Sequence, residues 1–246
     1  MDPKVKVIDE ISTEFDNYKV IERLEKNGLP ARLLYGSGDL TVHSGIPLYR
    51  TDIPLFRYNR RLVEIVKSLR PHQVLVVGGG VYTLPSYLAE KYNNMRIDVI
   101  EPDNQLEDIA IKYFNFHKLK NLKIINDFGL HFLKTNKKIY DLIIIDAYYD
   151  HQIPKEIKSK KFARLTASSL SKSGILAANV ISDIKKDSIV NKFHANYKKY
   201  FKNYQIYPVD NNRLLLRKDN LIYVASQESI KLYLKYPPLK WNNILT

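Results

Sequence analysis

The sequence predicts an α/β fold: a doubly wound, mostly parallel sheet of seven strands that follows a small antiparallel β-domain. Three observations lead to this prediction. The apolar run Val74–Val77 breaks into three glycines and a helical pattern, a second strand closes on Glu101, and strand and helix patterns then alternate to about residue 225. Such alternation requires a parallel sheet with helices on both faces.

The first 53 residues are predicted to form the antiparallel β-domain. Apolar and polar residues alternate in segments 18–24, 31–35 and 40–44, and turn signals at Asn27-Gly28 and Gly36-Ser37-Gly38 separate the segments. Short strands joined by tight turns are the natural interpretation of this pattern.

Residues 54–230 are predicted to form the second domain. Leu62, Ile65, Val66 and Leu69 recur with a helical period within 54–69. Further helices are expected near 82–92, 104–115, 127–134, 155–170 and 184–201, and strands near 73–77, 96–101, 121–126, 140–146, 174–180, 204–208 and 221–225. In a sheet of this kind ligands bind at the carboxyl ends of the parallel strands.

The remaining residues, 231–246, form a tyrosine-rich C-terminal tail. Its segment from Tyr233 to Trp241 packs either on a partner subunit or on its own domain. Because an antiparallel β-domain with unpaired edges often finds a partner, we expect a homodimer.

Composition excludes several classes of protein. The 246 residues include no cysteine, which rules out disulfides and thiolate metal sites, and the six histidines show no metal-ligand spacing, so no metal is expected. No apolar run approaches the length that spans a bilayer and the N-terminus has no apolar signal core, so a cytoplasmic protein without membrane association is expected. The net charge of +13 attracts anions, but without an arginine-rich tract or aromatic-basic platform nucleic acid is not expected as a partner.

The glycines and Glu101 predict a nucleoside site in the second domain, which is therefore interpreted as Rossmann-like and catalytic. Gly78, Gly79 and Gly80 let a ligand approach the backbone closely, and Glu101 can accept hydrogen bonds from both hydroxyls of a ribose. The third glycine of a dinucleotide motif is absent, which favours a nucleoside without phosphates, such as S-adenosylmethionine. The alternative is a tight turn beside a solvated glutamate.

Two further strand ends carry acids. Asp127, after the third strand, can accept a hydrogen bond from an adenine amino group while Phe128 packs on the ring; alternatively, Asp127 caps the next helix. The fourth strand, Tyr140–Asp146, ends in an acid at the mouth of the cleft. Asp146 and Asp150 can hold an amine and accept its proton, with the loop from 147 to 152 around it; the alternative is a strand-capping aspartate with a solvated loop.

The motifs at Gly78–Gly80, Ile100–Asp103, Asn126-Asp127, Tyr140–Asp146, 153–162 and Gly174–Asn179 resemble the spermidine synthase family of aminopropyltransferases, whose second domain is class I methyltransferase-like. The resemblance implies that Glu101 holds the ribose, Asp127 the adenine, and that Asp146 frees the attacking amine. Asp103 is also predicted to lie in the nucleoside site, and Tyr58, Tyr148 and Tyr149 are predicted to bind the amine. It also implies aminopropyl transfer from decarboxylated S-adenosylmethionine to an amine, in polyamine biosynthesis and without a metal.

Three positions depart from that pattern. Val81 stands where the family usually has an aspartate that contacts the donor amine, Tyr58-Asn59-Arg60 replaces Tyr-His-Glu, and the second acid after Asp146 is shifted to Asp150. Two alternatives therefore stay open. One is a methyltransferase that uses intact S-adenosylmethionine, whose carboxylate suits Val81 and Arg60; the other is a nucleoside-binding protein without catalytic activity.

Overall fold

The N-terminal sheet has four antiparallel strands in sequential order. A computed structural model describes residues 5–25, 28–37, 42–49, 53–149, 152–185, 188–210 and 218–239. The strands are β1 (Val5–Ser12), β2 (Asn17–Leu24), β3 (Pro30–Tyr35) and β4 (Val42–Pro47). The sequence analysis missed β1, because this edge strand is mostly exposed and carries charged residues among its apolar ones.

The second sheet has seven strands in the order β10-β11-β9-β8-β5-β6-β7. The strands are β5 (Gln73–Val77), β6 (Arg96–Ile100), β7 (Leu122–Ile125), β8 (Tyr140–Ile145), β9 (Leu170–Ser182), β10 (Asn203–Pro208) and β11 (Asp219–Ser226). Strands β5 to β9 pair in parallel, whereas β11 pairs antiparallel with both β9 and β10. The predicted fold class is confirmed.

Six helices connect the strands in the described residues: α1 (Arg57–Leu69), α2 (Thr83–Lys91), α3 (Gln105–Tyr113), α4 (Gly129–Thr135), α5 (Lys160–Ser168) and α6 (Ile189–Tyr197). The predicted helices at 155–170 and 184–201 were too long. Helix α5 begins only after Ser159, whose side chain accepts a hydrogen bond from the backbone N–H of Phe162, and Ser188 caps α6 in the same way. An N-cap residue has non-helical backbone angles, so each serine fixes where its helix starts.

The core lies on both faces of the second sheet. Alternate residues of β5 and β8 belong to different apolar clusters: Val74 and Leu142 face one, and Leu75 and Ile143 face the other. All four are fully buried. A strand with two buried faces needs a continuous apolar sequence, which explains the run Leu142–Ile145.

The C-terminal tail, described as far as residue 239, packs against its own domain. The backbone N–H of Tyr233 donates to Ser68 Oγ of α1, and that of Leu239 donates to the carbonyl of Ile206 in edge strand β10. Of the two alternatives for the tail, the structure shows the contact with its own domain, while Trp241 lies outside the described residues. The boundaries at 53 and 230 and the homodimer stay predictions. In the described residues, every helix is too short or too polar to cross a membrane.

Candidate active site

A cleft of about 1650 Å³ lies between the N-terminal sheet and the carboxyl ends of the parallel strands. It contains most of the residues that the sequence analysis selected. From the second domain the lining includes Tyr58, Gly78, Gly79, Gly80, Glu101, Asp103, Phe128, Asp146, Tyr148 and Tyr149, and from the N-terminal sheet Phe15, Asp16, Tyr18, His43 and Ser44. Asp127 is next to the cleft through Phe128, but it is not among the lining residues.

The glycine turn fits tightly between β6 and β8. Gly78 has φ +98°, and a Cβ there would lie 2.4 Å from the backbone oxygen of Asp146. The N–H of Gly78 donates to the carbonyl of Ile100 at 2.9 Å. Only glycine combines this backbone conformation with this close approach. The turn therefore brings the ends of three strands together.

Glu101 fixes the glycine turn through hydrogen bonds to its backbone. Its Oε2 accepts hydrogen bonds from the N–H groups of Gly79 (2.9 Å) and Gly80 (3.0 Å), and its Oε1 accepts one from Asp103 N–H (3.1 Å). Burial raises the pKa of Glu101, and these amide bonds act in the opposite direction. A carboxylate has about four acceptor positions, so one is left. The predicted contact of Glu101 with both ribose hydroxyls stays a prediction. The two hydroxyls would have to share the one remaining acceptor position.

Asp103 connects the two sheets. Its Oδ2 accepts hydrogen bonds from Thr13 Oγ1 at 2.7 Å and from Tyr18 Oη at 3.2 Å, both in the N-terminal sheet region. Its Oδ1 accepts from the N–H of Gln105 at the start of α3. Asp103 is only 2% exposed. Its predicted role in nucleoside binding stays a prediction; the contacts show it fixing the N-terminal sheet at the cleft.

Asp127 contacts a histidine of the following helix. His131 Nδ1 lies 2.7 Å from Asp127 Oδ2, and Asp127 Oδ1 accepts a hydrogen bond from the N–H of Phe128. The N-cap of α4 is Phe128, without a side-chain cap, so the alternative that Asp127 caps this helix is wrong. The predicted adenine contacts of Asp127 and Phe128 stay predictions, and Phe128 is 60% exposed at the cleft.

Asp146 lies in a network of neutral hydrogen-bond donors. Asn179 Nδ2 donates to Asp146 Oδ1 at 2.9 Å, and Asn220 Nδ2 donates to Asn179 Oδ1 at 2.8 Å. Burial raises the pKa of Asp146 to about 6, and the Asn179 amide and the nearby Tyr58 hydroxyl offset only part of that rise. A carboxyl group with a pKa near neutrality suits a general base.

The two tyrosines after Asp146 differ in role. The Tyr148 hydroxyl donates to the carbonyl of Asn179 and accepts from the N–H of Ile181, so it ties the loop to β9. Tyr149 is 62% exposed and its backbone pairs with Gln152. Their predicted contacts with an amine stay predictions. Asp150 and His151 lie outside the described residues.

The structure shows the surroundings of two of the positions that depart from the family pattern, Val81 and Arg60. Val81 is 1% exposed and belongs to the apolar core, not to the cleft lining. The guanidinium of Arg60 donates to the backbone carbonyls of Pro54 and Leu55. Val81 therefore makes no contact in the cleft, whereas Arg60 lines the cleft with two of its N–H groups already bonded to the backbone.

Sequence reasoning missed Asn179 and Asn220 as site residues. Asn179 interrupts the apolar strand β9 beside the acid-ended β8, and a buried polar residue at that point was an available signal. For Asn220 the sequence offered no signal, because its contact depends on β11 pairing with β9.

Comparison with known proteins decides the family. A sequence model described as the spermine/spermidine synthase domain matches residues 55–213. The chain belongs to the spermine/spermidine synthase family. It is 30% identical over 158 residues to a polyamine aminopropyltransferase of Vibrio vulnificus, an alignment that covers 63% of this chain and 53% of the relative. The chain thus spans about half the length of the curated relatives that it matches.

Solved structures of family members share the fold. A probable spermidine synthase from Corynebacterium glutamicum superposes with a TM-score of 0.76 at 18% identity, covering 92% of this chain and 82% of the other. A spermidine synthase in complex with the transition-state analogue AdoDATO superposes with a TM-score of 0.67 at 19% identity, covering 91% and 74%. At such identities the likeness shows the fold.

Proposed function

We propose that the protein is an aminopropyltransferase, which transfers an aminopropyl group from decarboxylated S-adenosylmethionine to a small amine in polyamine biosynthesis. The observation that carries this proposal is Asp146: a carboxyl group with a raised pKa, fixed by Tyr58 and Asn179, on the same cleft as the glycine turn and Glu101. The family and the ligand of its AdoDATO-bound member support an adenosyl donor.

In this proposal the glycine turn and Glu101 hold the nucleoside, and Asp146 holds the acceptor amine. A protonated amine has no free electron pair, so it must first lose a proton, and Asp146 accepts it. The amine nitrogen then attacks the carbon bonded to the sulfonium sulfur in line. The new C–N bond forms as the C–S bond breaks, and sulfur keeps the electron pair and leaves as methylthioadenosine.

Tyr58 and Asn179 are positioning residues for Asp146. Asn179 donates to its carboxyl group and so directs it, and both side chains limit the rise of its pKa. Asn220 in turn orients the Asn179 amide by donating to its oxygen. Without them, the carboxyl would be protonated over a wider range of pH and would lose its ability to accept a proton.

Calorimetric titration of the two donors tests the proposal. We expect decarboxylated S-adenosylmethionine to bind more tightly than the intact form, because Val81 is an apolar core residue and the Arg60 guanidinium already donates to two backbone carbonyls. Tighter binding of the intact donor would instead support methyl transfer. If neither donor nor methylthioadenosine bound, the nucleoside site itself would have to be withdrawn.

A further inference from the structure

The segments that contain helices α5 and α6 are strongly basic. Segments 157–182 and 188–209 contain nine lysine and arginine residues and no aspartate or glutamate, although acids make up 26 of the 246 residues of the chain. The nine cations are Lys158, Lys160, Lys161, Arg164, Lys172, Lys192, Lys198, Lys199 and Lys202. Lys158 is half-buried and the others are exposed. Most of the net charge of +13 therefore comes from these two segments.

The two helices lie side by side on one face of the seven-stranded sheet. Phe162 of α5 and Phe193 of α6 belong to the same buried apolar cluster. The Tyr197 hydroxyl of α6 donates to the carbonyl of Ile157, just before α5, at 2.7 Å. The fold thus brings the cations of both segments to one surface, which is called the basic face below. No single stretch of the sequence shows it as a basic tract.

The basic face contains a groove. A cavity of about 710 Å³ lies between α5 and the turn that follows α6. The cations that line it are Arg164, Lys198, Lys199 and Lys202. The groove lies where strands β9 and β10 begin, whereas the candidate active site lies at the carboxyl ends of the parallel strands. The groove is therefore separate from the cleft that contains Asp146.

The stability of the fold does not explain these cations. Of the nine, only Lys172 pairs with a carboxylate of the described residues, that of Glu228 at 3.8 Å. Lys160 and Lys161 occupy the first turn of α5, where the helix dipole favours acids and disfavours cations. Like charges that share a surface also repel each other. A surface that keeps such charges unpaired is suited to a partner of opposite charge.

The basic face lacks the features on which protein partners usually dock. Every large apolar or aromatic side chain of the two segments is buried or half-buried. Protein interfaces, in contrast, are centred on apolar and aromatic side chains that the free surface exposes. Lysine and arginine alone are sufficient to bind the phosphate backbone of nucleic acid, without reading its sequence.

We propose that the basic face binds the phosphate backbone of nucleic acid, with the four cations of the groove among its contacts. The expectation that nucleic acid is not a partner rested on the absence of a basic tract, and here the fold assembles the charges from two segments. The proposal is independent of the proposed function, because the groove and the cleft are separate.

Fluorescence anisotropy with a labelled DNA duplex of arbitrary sequence tests the proposal. Binding by the wild-type protein should weaken as salt is added, because each phosphate contact releases counterions. The groove variant combines Arg164→Gln, Lys198→Gln, Lys199→Gln and Lys202→Gln. It should bind about tenfold more weakly at low salt, and the slope of log K against the logarithm of the salt concentration should fall by about 3–4.

The matched control removes the same charge elsewhere on the surface. It combines Lys118→Gln, Lys120→Gln, Lys123→Gln and Lys137→Gln, four exposed lysines outside the basic face. The control should keep the wild-type slope. Equal weakening in the two variants would show that only the net charge matters and would overturn the proposal, as would a wild-type protein that binds no duplex at low salt.

A second variant covers the case in which the groove variant does not fold. Lys160→Gln combined with Lys161→Gln should weaken duplex binding without lowering stability in urea, because it removes cations from the first turn of a helix. Duplex binding that is unchanged in this variant would contradict the proposal. Tighter binding of polyglutamate, or of vesicles that contain phosphatidylserine, than of the duplex would assign the basic face to another class of partner and would likewise overturn it.

Discussion

Replacing Asp146 by asparagine should stabilise the folded protein at neutral pH while abolishing turnover. In the folded protein the pKa of Asp146 is about 6, compared with an ordinary value of 3.8. At 1.36 kcal/mol per pH unit this difference corresponds to about 3 kcal/mol. The folded state binds the proton more tightly than the unfolded state, so folding stability falls as the pH rises from about 4 to about 6. Above that range the partly buried carboxylate costs up to about 3 kcal/mol.

Asparagine has nearly the same shape and no charge, and its side-chain oxygen can still accept from Asn179. Urea unfolding at pH 7.5 should therefore show a gain of up to about 3 kcal/mol for Asp146→Asn. The gain should shrink toward zero at pH 4, where the wild-type carboxyl is largely protonated in the folded state and half protonated in the unfolded state. This trade between stability and activity is common at active sites.

Asp141→Asn is the matched control, because Asp141 lies on the same strand but accepts hydrogen bonds from the N–H groups of His72 and Gln73. This variant should lose stability at pH 7.5. An Asp146→Asn variant that gained no stability at pH 7.5, or gained the same amount at pH 4, would refute the assignment of a raised pKa to this carboxyl group.

Four further outcomes follow from the site. Glu101→Ala should weaken methylthioadenosine binding tenfold or more by calorimetry, because the carboxylate holds the turn and a charged hydrogen bond contributes about 1.5–3 kcal/mol; unchanged affinity would argue against the ribose contact. Tyr58→Phe removes a donor to Asp146, so the acidic limb of the pH profile of kcat/KM should move to higher pH, and an unmoved limb would separate Tyr58 from the base. Gly78→Ala should cost more stability in urea unfolding than Gly28→Ala: both have positive φ, but only at Gly78 would a Cβ clash with the backbone. Val81→Asp should destabilise the protein by about 3 kcal/mol or more by burying an unpaired charge; tighter binding of the decarboxylated donor without that loss would place position 81 in the cleft.

The succession of strands and helices along the chain and the acids at the strand ends could be predicted because both depend on local patterns. An apolar run that ends in an acid places Asp146 at the cleft whatever the neighbouring strands are. The contacts of that acid could not be predicted. They depend on β9 lying beside β8 and β11 beside β9, and these neighbours are distant in sequence.

The orientation of the side chain after the three glycines is a second feature that the sequence could not predict. The resemblance to the family predicts that position 81 faces the donor amine, but the Val81 side chain is buried in the apolar core. The following residue, Tyr82, has φ +57° and is itself fully buried, so the backbone turns sharply at the start of α2. A change of direction over two residues leaves no trace in composition or periodicity.

Turnover with Asp146 as the base can be measured by incubating the protein with decarboxylated S-adenosylmethionine and a series of di- and polyamines, and by following the methylthioadenosine released as the aminopropyl group is transferred. We predict release that requires an amine, rises with pH through about 6, and is absent in Asp146→Asn. Release that is equally fast in Asp146→Asn, or no release with any amine, would contradict the proposed function.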